Sequence, residues 1–142
     1  MQLDKFTDYA LRILMTLAMR APERVATSDI AALFDLSDNH LSKVATELAH
    51  AGFVQSERGR GGGLTLAHSP DQISIGAVVR AVKRNGPVVE CFGTKSTCLI
   101  LPACGLRDPL AQAQEAFFAT LDGYTLADVT SARRALSDLL TP

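Results

Sequence analysis

The first twenty residues repeat apolar and polar positions with the period of an α-helix. One face carries the apolar residues Phe6, Ala10, Ile13, Leu14 and Leu17. This spacing predicts a helix from about Thr7 to Arg20, which Pro22 ends. The opposite face combines Asp8 and Arg12, one helical turn apart, with Leu11, Met15 and Met19. We therefore expect either a contact of this face with something other than water, or a surface ion pair among exposed methionines.

The next segment has the pattern of two short helices joined by a tight turn. Thr27 or Ser28 is expected to cap the first helix and Ser37 the second, and Gly52 follows where a left-handed residue is favoured. The apolar positions are Ile30, Leu33 and Phe34 in the first helix and Leu41, Val44 and Leu48 in the second. The short turn at 35–37 is typical of a helix-turn-helix, although an ordinary helical hairpin has the same pattern.

Polar side chains cover the outer face at the start of the second of these helices. They are Asp38, Asn39, His40, Ser42 and Lys43. Amide, hydroxyl and ammonium groups of this kind can read base edges or bind phosphates. All of them except Asp38, together with the capping residue Ser37, are candidate DNA contacts.

A β-hairpin is predicted directly after the helix-turn-helix, with strands at 53–57 and 64–67. Its loop, RGRGGG, contains Arg58, Arg60 and four glycines. Glycine lets a backbone approach a ligand closely, and the two arginines supply charge for phosphates or a narrow minor groove. The loop lacks the Gly-Lys-Ser/Thr ending of a phosphate-binding loop, and Leu64 stands where a G-x-G-x-x-G motif needs its last glycine. The hairpin therefore indicates the wing of a winged helix.

The second half of the chain contains a loop between two predicted helices. Ser74 is expected to cap a helix whose apolar residues are Ile75, Val78, Val79 and Val82, and residues 85–87 end it. Residues 88–105 have no regular period and are predicted to be a loop. A seam with alternating steps of four and three follows at Leu106, Leu110, Ala113, Phe117 and Thr120 or Leu121. This helix ends at Gly123. A helix that covers the core of its own chain would have the same seam, but a 142-residue chain has few other elements for a long seam to cover, so we predict packing against a second copy in a homodimer. A short YTLADV segment and a final helix complete the chain.

The predicted fold class is mainly α with a small β-hairpin, a winged helix-turn-helix plus a cysteine loop and a long dimerisation helix. Within one compact domain, residues 1–84 form the DNA-binding region, 85–105 the loop, and 106–142 the dimerisation helix and tail. The N-terminal apolar stretch is interrupted by charges and lacks a small-residue cleavage site, which argues against a signal peptide or membrane span. We therefore expect a cytoplasmic protein.

Charge gives no global indication of a nucleic-acid partner. The formal net charge is −1, and residues 1–68 hold seven Lys or Arg against eight Asp or Glu. Any DNA contact must therefore come from a local basic patch.

All three cysteines lie within one short segment. Cys91, Cys98 and Cys104 are separated by six and five residues. In a reducing compartment, an odd cluster of cysteines indicates a metal or redox site rather than a disulfide framework. Zinc sites are usually built from closely spaced cysteine pairs, which gaps of six and five residues do not match, and the three histidines all lie in the DNA-binding half. An iron–sulfur cluster, by contrast, tolerates a loose loop. Three unrelated buried cysteines are the alternative.

The sequence resembles a family of iron–sulfur regulators. The segments FTDYALRILMTLA, LSDNHLSKVATELAHAGFVQSERGRGGGLTLA and LDGYTLADV, with the three spaced cysteines, are similar to those of the NsrR nitric-oxide-sensing repressors, relatives of IscR. The similarity runs from Met1 to about Val129. It implies a dimeric winged-helix repressor that binds double-stranded operator DNA and releases it when nitric oxide attacks the cluster.

The resemblance also implies a ligand set. IscR-like members have a histidine three residues after the last cysteine, and this chain has Arg107 there, which cannot be a ligand. The departure favours the NsrR pattern, a [4Fe-4S] cluster held by Cys91, Cys98, Cys104 and a carboxylate from the other subunit. Asp8 stands at the matching position, and Arg12 is its expected coupling partner. The alternatives are an IscR-like regulator of iron–sulfur homeostasis and, from a different class, a small iron–sulfur electron-transfer or redox protein. An enzyme is not expected.

Overall fold

A computed structural model describes residues 3–83 and 88–141 of the 142-residue chain. The helices are α1 (Lys5–Arg20), α2 (Thr27–Leu33), α3 (Asp38–His50), α4 (Ile75–Val82), α5 (Arg107–Asp122), α6 (Leu126–Val129) and α7 (Arg133–Leu140). The strands β1 (Val54–Glu57) and β2 (Gly63–Leu66) form one antiparallel hairpin. The predicted fold class is confirmed. The predicted helix stop at 85–87, and with it the boundary between the first two regions, lies outside the described residues.

Helix α1 is the centre of the core and starts two residues before the predicted position. The Asp4 carboxylate accepts a hydrogen bond from the Thr7 N–H at 2.6 Å and so caps the helix. Four residues of the predicted core face are buried, namely Ala10, Ile13, Leu14 and Leu17. Helix α1 also packs against α7, and Arg12 and Met15 of the opposite face line one cavity with Leu136 of α7. A contact of that face with another element is therefore present within the chain itself.

The helix-turn-helix forms with one difference from the predicted caps. Ser37 accepts a hydrogen bond from the His40 N–H at 3.4 Å, as predicted for α3. The prediction that Thr27 or Ser28 caps α2 is wrong, because Ala26 holds the capping position and no side chain caps it. The pairing of Val25 with β2 holds the chain before α2 extended. The helix then begins at Thr27, one residue earlier than a cap at Thr27 would allow. The predicted core residues Leu41, Val44 and Leu48 are all buried.

The wing is fixed to the rest of the fold at its base. Leu64 exchanges two backbone hydrogen bonds with Val25, at 3.1 and 2.8 Å. Beside this bridge, Arg24 forms an ion pair with Glu57 at 2.6 Å. Gly59 and Gly61 have φ of +92° and +75°, conformations that only glycine adopts without strain. A rigid base therefore presents a glycine-rich tip.

Helices α4 and α5 pack antiparallel. This contact joins the C-terminal half of the chain to the half that carries the wing. Ser74 caps α4 through the Ala77 N–H at 3.2 Å, as predicted. At one end of the pair Gly76 lies directly against Asp122. Further along, the Arg80 guanidinium lies 4.7 Å from the centroid of the Phe118 ring. Arg80 also forms ion pairs with Asp122 and with Glu115 of α5.

The side of α5 that faces α4 is not the predicted seam. Its buried residue is Phe118, one position after the predicted Phe117. Leu106 is 61% exposed, and Ala113 is also exposed. The predicted seam is therefore divided. Phe117 and Leu121 are partly buried against the core, whereas Leu106 and Ala113 lie on an open flank of α5. The final predicted helix is present as α7, which packs on α1.

Within the described ranges, no helix combines the length and the apolar character needed to span a bilayer.

Candidate DNA-binding surface and cysteine loop

The outer face of α3 is the candidate recognition surface of the helix-turn-helix. The predicted contact residues Asn39, His40, Ser42 and Lys43 are all exposed. Asn39, Lys43, Thr46 and His50 follow one another at steps of four, three and four, so they lie on the same face. Thr46 and His50 are exposed as well. These two residues were not among the predicted contacts. Extending the helical period from Asn39 and Lys43 along the sequence would have added them.

A polar groove separates α3 from the wing. Its polar lining residues are Thr27, Ser42, Thr46, His50, Ser56 and Arg58. Hydroxyls, an imidazole and a guanidinium are groups that donate hydrogen bonds to phosphate oxygens. The structure therefore brings the predicted Ser42 and Arg58 to one groove, on the wing side of the recognition helix.

The wing tip carries the exposed positive charge of the hairpin. Arg58 and Arg60 lie between the strands and are exposed. By contrast, Arg24 at the base of the wing is neutralised by its ion pair with Glu57. The tip of the wing is therefore one local basic patch of the kind that DNA contact requires.

The described part of the cysteine loop, residues 88–105, has little regular structure. Within it are two single 3₁₀ turns, Glu90–Phe92 and Leu101–Ala103. All three thiols are free; Cys98 is exposed, and Cys91 and Cys104 are half-buried. They are therefore accessible to a metal and are not three buried core residues.

Two contacts draw the parts of this loop together. The Thr97 N–H and hydroxyl donate to one oxygen of Glu90 at 3.0 and 3.1 Å. These bonds, the backbone one foremost, hold the pKa of Glu90 below its usual value. Because Glu90 precedes Cys91 and Thr97 precedes Cys98, the carboxylate links the backbones next to two of the thiols.

The second contact connects the ends of the loop. The guanidinium of Arg107 lies 5.9 Å from the centroid of the Phe92 ring. Arg107 begins α5 three residues after Cys104, and Phe92 follows Cys91 directly. This contact therefore links the start of α5, just after Cys104, to the residue that follows Cys91.

The donor set fits an iron–sulfur cluster by its chemistry. Across residues 3–83 and 88–141, no three His, Cys, Asp or Glu side chains come together in a group that could hold a metal ion. The three thiols are nevertheless free, and none is buried. Thiolates are the ligands that iron–sulfur clusters require, and the cluster itself can organise a loose loop. Three local donors leave one ligand position for another residue.

Asp8 and Arg12 form the ion pair that their spacing predicts. The Arg12 guanidinium is 2.8 Å from the Asp8 carboxylate, and the two side chains are 44% and 40% exposed for Asp8 and Arg12 respectively. Arg12 also lies 5.4 Å from the ring centroid of Phe34, at the end of α2, and 5.9 Å from that of Tyr9. The aromatic contacts hold Arg12 independently of Asp8, and the half-exposed carboxylate is accessible to another group.

A helix-turn-helix followed by a hairpin with a basic tip defines a winged-helix DNA-binding protein. Residues 3–132 match the model of the Rrf2 family, described as iron-dependent transcriptional regulators. The chain belongs to this family and is a DNA-binding transcriptional regulator rather than an enzyme.

Two curated relatives extend almost over the whole chain. The HTH-type transcriptional regulator NsrR of Geobacillus kaustophilus is 46% identical over 99% of this chain and 97% of its own length. The HTH-type transcriptional repressor NsrR of Streptomyces coelicolor is 43% identical over 93% of this chain and 90% of its own. The chain is thus similar to NsrR regulators from end to end.

Solved structures agree on the fold. CymR, the global cysteine regulator of B. subtilis, superposes with a TM-score of 0.71 at 26% identity, covering 93% of this chain and 98% of CymR. T. potens IscR superposes with a TM-score of 0.73 at 24% identity, covering 95% of this chain and 90% of that structure.

Proposed function

We propose that this regulator is a cytoplasmic homodimeric repressor that holds an iron–sulfur cluster, of the [4Fe-4S] type, and releases its operator in response to nitric oxide. The observation that carries the proposal is the segment between α4 and α5. It presents three free thiols, Cys91, Cys98 and Cys104, and its contacts draw their neighbours together. When bound, such a cluster supplies iron that reacts with nitric oxide.

The three thiolates would hold the cluster from one subunit, and Asp8 of the partner subunit would complete the ligand set. Asp8 is half-exposed and forms an ion pair with Arg12. A carboxylate is a harder ligand than a thiolate and binds cluster iron less strongly. When it is not a ligand, Asp8 would pair with Arg12 as it does here, and Arg12 contacts Tyr9 of α1 and Phe34 at the end of α2. The sensor is thereby connected to the helix-turn-helix.

The open flank of α5 supports the homodimer. Leu106 and Ala113 belong to the predicted seam and remain exposed. A second copy packed on this flank would bury the seam. Two recognition helices about 34 Å apart could then dock on successive turns of a duplex, so a small change in their separation would weaken binding to both half-sites.

The decisive experiment is anaerobic purification followed by metal and sulfide analysis and a DNA-binding assay. We expect about four iron and four sulfide per subunit. Duplexes selected from a random pool should bind this form and dissociate on addition of nitric oxide. Stoichiometric zinc without sulfide would contradict the cluster, and retained operator binding after nitric oxide would contradict the signal.

Removal of the Asp8 carboxylate should weaken the connection between cluster and DNA. In Asp8→Ala we expect a cluster that still assembles, with an altered absorption spectrum and an altered rate of reaction with nitric oxide. The ratio of operator affinities between cluster-bound and apo protein should fall toward one. Loss of an exposed ion pair alone costs under about 1 kcal/mol and would change none of these properties.

The matched control is Asp71→Ala, which removes an exposed carboxylate from the connector before α4. It should behave as wild type. If Asp8→Ala also keeps the wild-type spectrum, rates and affinity ratio, then Asp8 has no part in the site.

Loss of the wing arginines should weaken DNA binding without changing its sequence preference. Arg58 and Arg60 are exposed at the tip. Arg→Ala at either should lower the magnitude of the slope of log affinity against log salt concentration by about 0.9 for each subunit. Changes at Asn39, His40 or Lys43 should instead alter base preference. Fluorescence anisotropy with matched and scrambled duplexes separates the two effects.

The control for this charge removal is Arg134→Ala, on the exposed side of α7. We expect it to leave the slope unchanged. Equal behaviour of the wing and α3 variants on both duplexes would refute the division of roles.

A further inference from the structure

A second cleft lies on the side of α3 away from the wing, between α3 and the start of α1. It is lined by Lys5, Phe6, Tyr9, His40, Lys43 and Val44. Three of these six residues are basic, two are aromatic, and none is acidic. Lys5 is exposed and Tyr9 is half-buried.

Two helices line this cleft with side chains at ordinary helical spacing. Lys5 and Tyr9 are four residues apart on α1, and His40 and Lys43 are three apart on α3. Side chains with these separations lie on the same face of a helix. The cleft is therefore built by the packing of two regular elements.

The dimensions of DNA indicate what such a cleft would contact. An α-helix with its side chains is about 10–12 Å across, and the major groove is about 12 Å wide. A recognition helix therefore fills the groove, and the two phosphate backbones lie along its flanks. On one flank of α3 is the groove containing Arg58, and on the other is the cleft containing Lys5.

We propose that this cleft binds the phosphodiester backbone of the operator strand on the α1 side of the recognition helix. This proposal rests on the DNA-binding function above and adds Lys5 and Tyr9 to it. Lys5 supplies positive charge for a phosphate, and the Tyr9 hydroxyl donates a hydrogen bond. The rings of Phe6 and Tyr9 give an apolar surface for the deoxyribose.

The position of Tyr9 connects this contact to the proposed sensor. Tyr9 follows Asp8 in α1, and Arg12, the ion-pair partner of Asp8, lies 5.9 Å from its ring centroid. The same turn of helix thus carries the proposed cluster ligand and a proposed DNA contact.

The test is a salt titration of duplex affinity with the anaerobically purified full-length protein. Lys5→Ala should weaken binding to matched and scrambled duplexes alike, by about tenfold for each subunit. It should also lower the magnitude of the salt slope by about 0.9 for each subunit. Tyr9→Phe should weaken binding without changing the slope, because no charge is removed. Lys95→Ala, an exposed lysine of the cysteine loop, is the control and should keep the wild-type slope.

Acetylation footprinting of the wild-type protein gives a second measurement that does not depend on variants. A bound duplex should protect Lys5 and Lys43 from acetylation and leave Lys95 reactive. An unchanged slope in Lys5→Ala, or a Lys5 that stays reactive in the complex, would overturn the cleft proposal while DNA binding itself stands. If wild type binds no duplex, both proposals fail.

Discussion

Replacement of Cys91, Cys98 or Cys104 by alanine, one at a time, is expected to remove the cluster. Iron in such clusters is held by thiolates, and each replacement leaves a position that no neighbouring cysteine can fill. The loss should exceed the roughly 10- to 100-fold that removal of an outer-shell partner costs in metal affinity. Iron and sulfide content, the visible absorption spectrum and operator affinity after anaerobic purification measure it.

The fold should survive these replacements. None of the three cysteines belongs to the buried core, and the loop has only single 3₁₀ turns. Far-UV circular dichroism should therefore match that of wild-type apo protein. Thr94→Ala, an exposed change in the same loop, is the control and should keep its iron. Full iron content in any of the three variants would remove that cysteine from the ligand set.

Substitution of Gly76 is expected to produce the largest loss of stability. A Cβ at this position would lie 2.6 Å from the backbone nitrogen and 2.8 Å from the Cα of Asp122. These are backbone atoms of α5, so α4 and α5 must separate to admit a side chain. Gly76→Val should therefore lower the free energy of unfolding by about 3 kcal/mol, at the upper end of the range for overpacking. Gly76→Ala should cost less, since alanine favours the helix by about 1 kcal/mol.

Urea unfolding at a fixed protein concentration measures both variants, because the proposed dimerisation would make stability depend on concentration. Gly105→Val is the matched control. An added Cβ at Gly105 would meet no atom within 4 Å, so stability should change little. A Gly76→Val protein with wild-type stability would mean that α4 and α5 do not pack as closely as described.

Local sequence patterns were sufficient for most helices and for the wing. Leu41, Val44 and Leu48 repeat with the helical period and are buried, and Ser37 and Ser74 cap the helices that follow them. Caps and periodicity depend on neighbouring residues, so they can be read along the chain. The cap at Asp4 was missed although it follows the same rule.

The face of α5 could not be predicted from spacing alone. The pattern Leu106, Leu110, Ala113 and Phe117 defined a seam, but Phe118 is the residue buried against α4. A helix with apolar residues on two adjoining faces can turn either one inward. The close approach at Gly76 and the ion pairs of Arg80 determine which face it is.

Residue types and local spacing were enough to predict the types of elements, the class of DNA-binding fold and the clustering of the three thiols. These features depend on residue type and spacing over a few turns, and all three thiols lie within the segment 91–104. The tertiary structure alone decided which side chains from distant segments share a surface: Lys5 with Lys43, Thr27 with Arg58, and Arg107 with Phe92. Such pairs result from how whole helices pack, and packing depends on the summed burial of the core rather than on the pattern of any one segment.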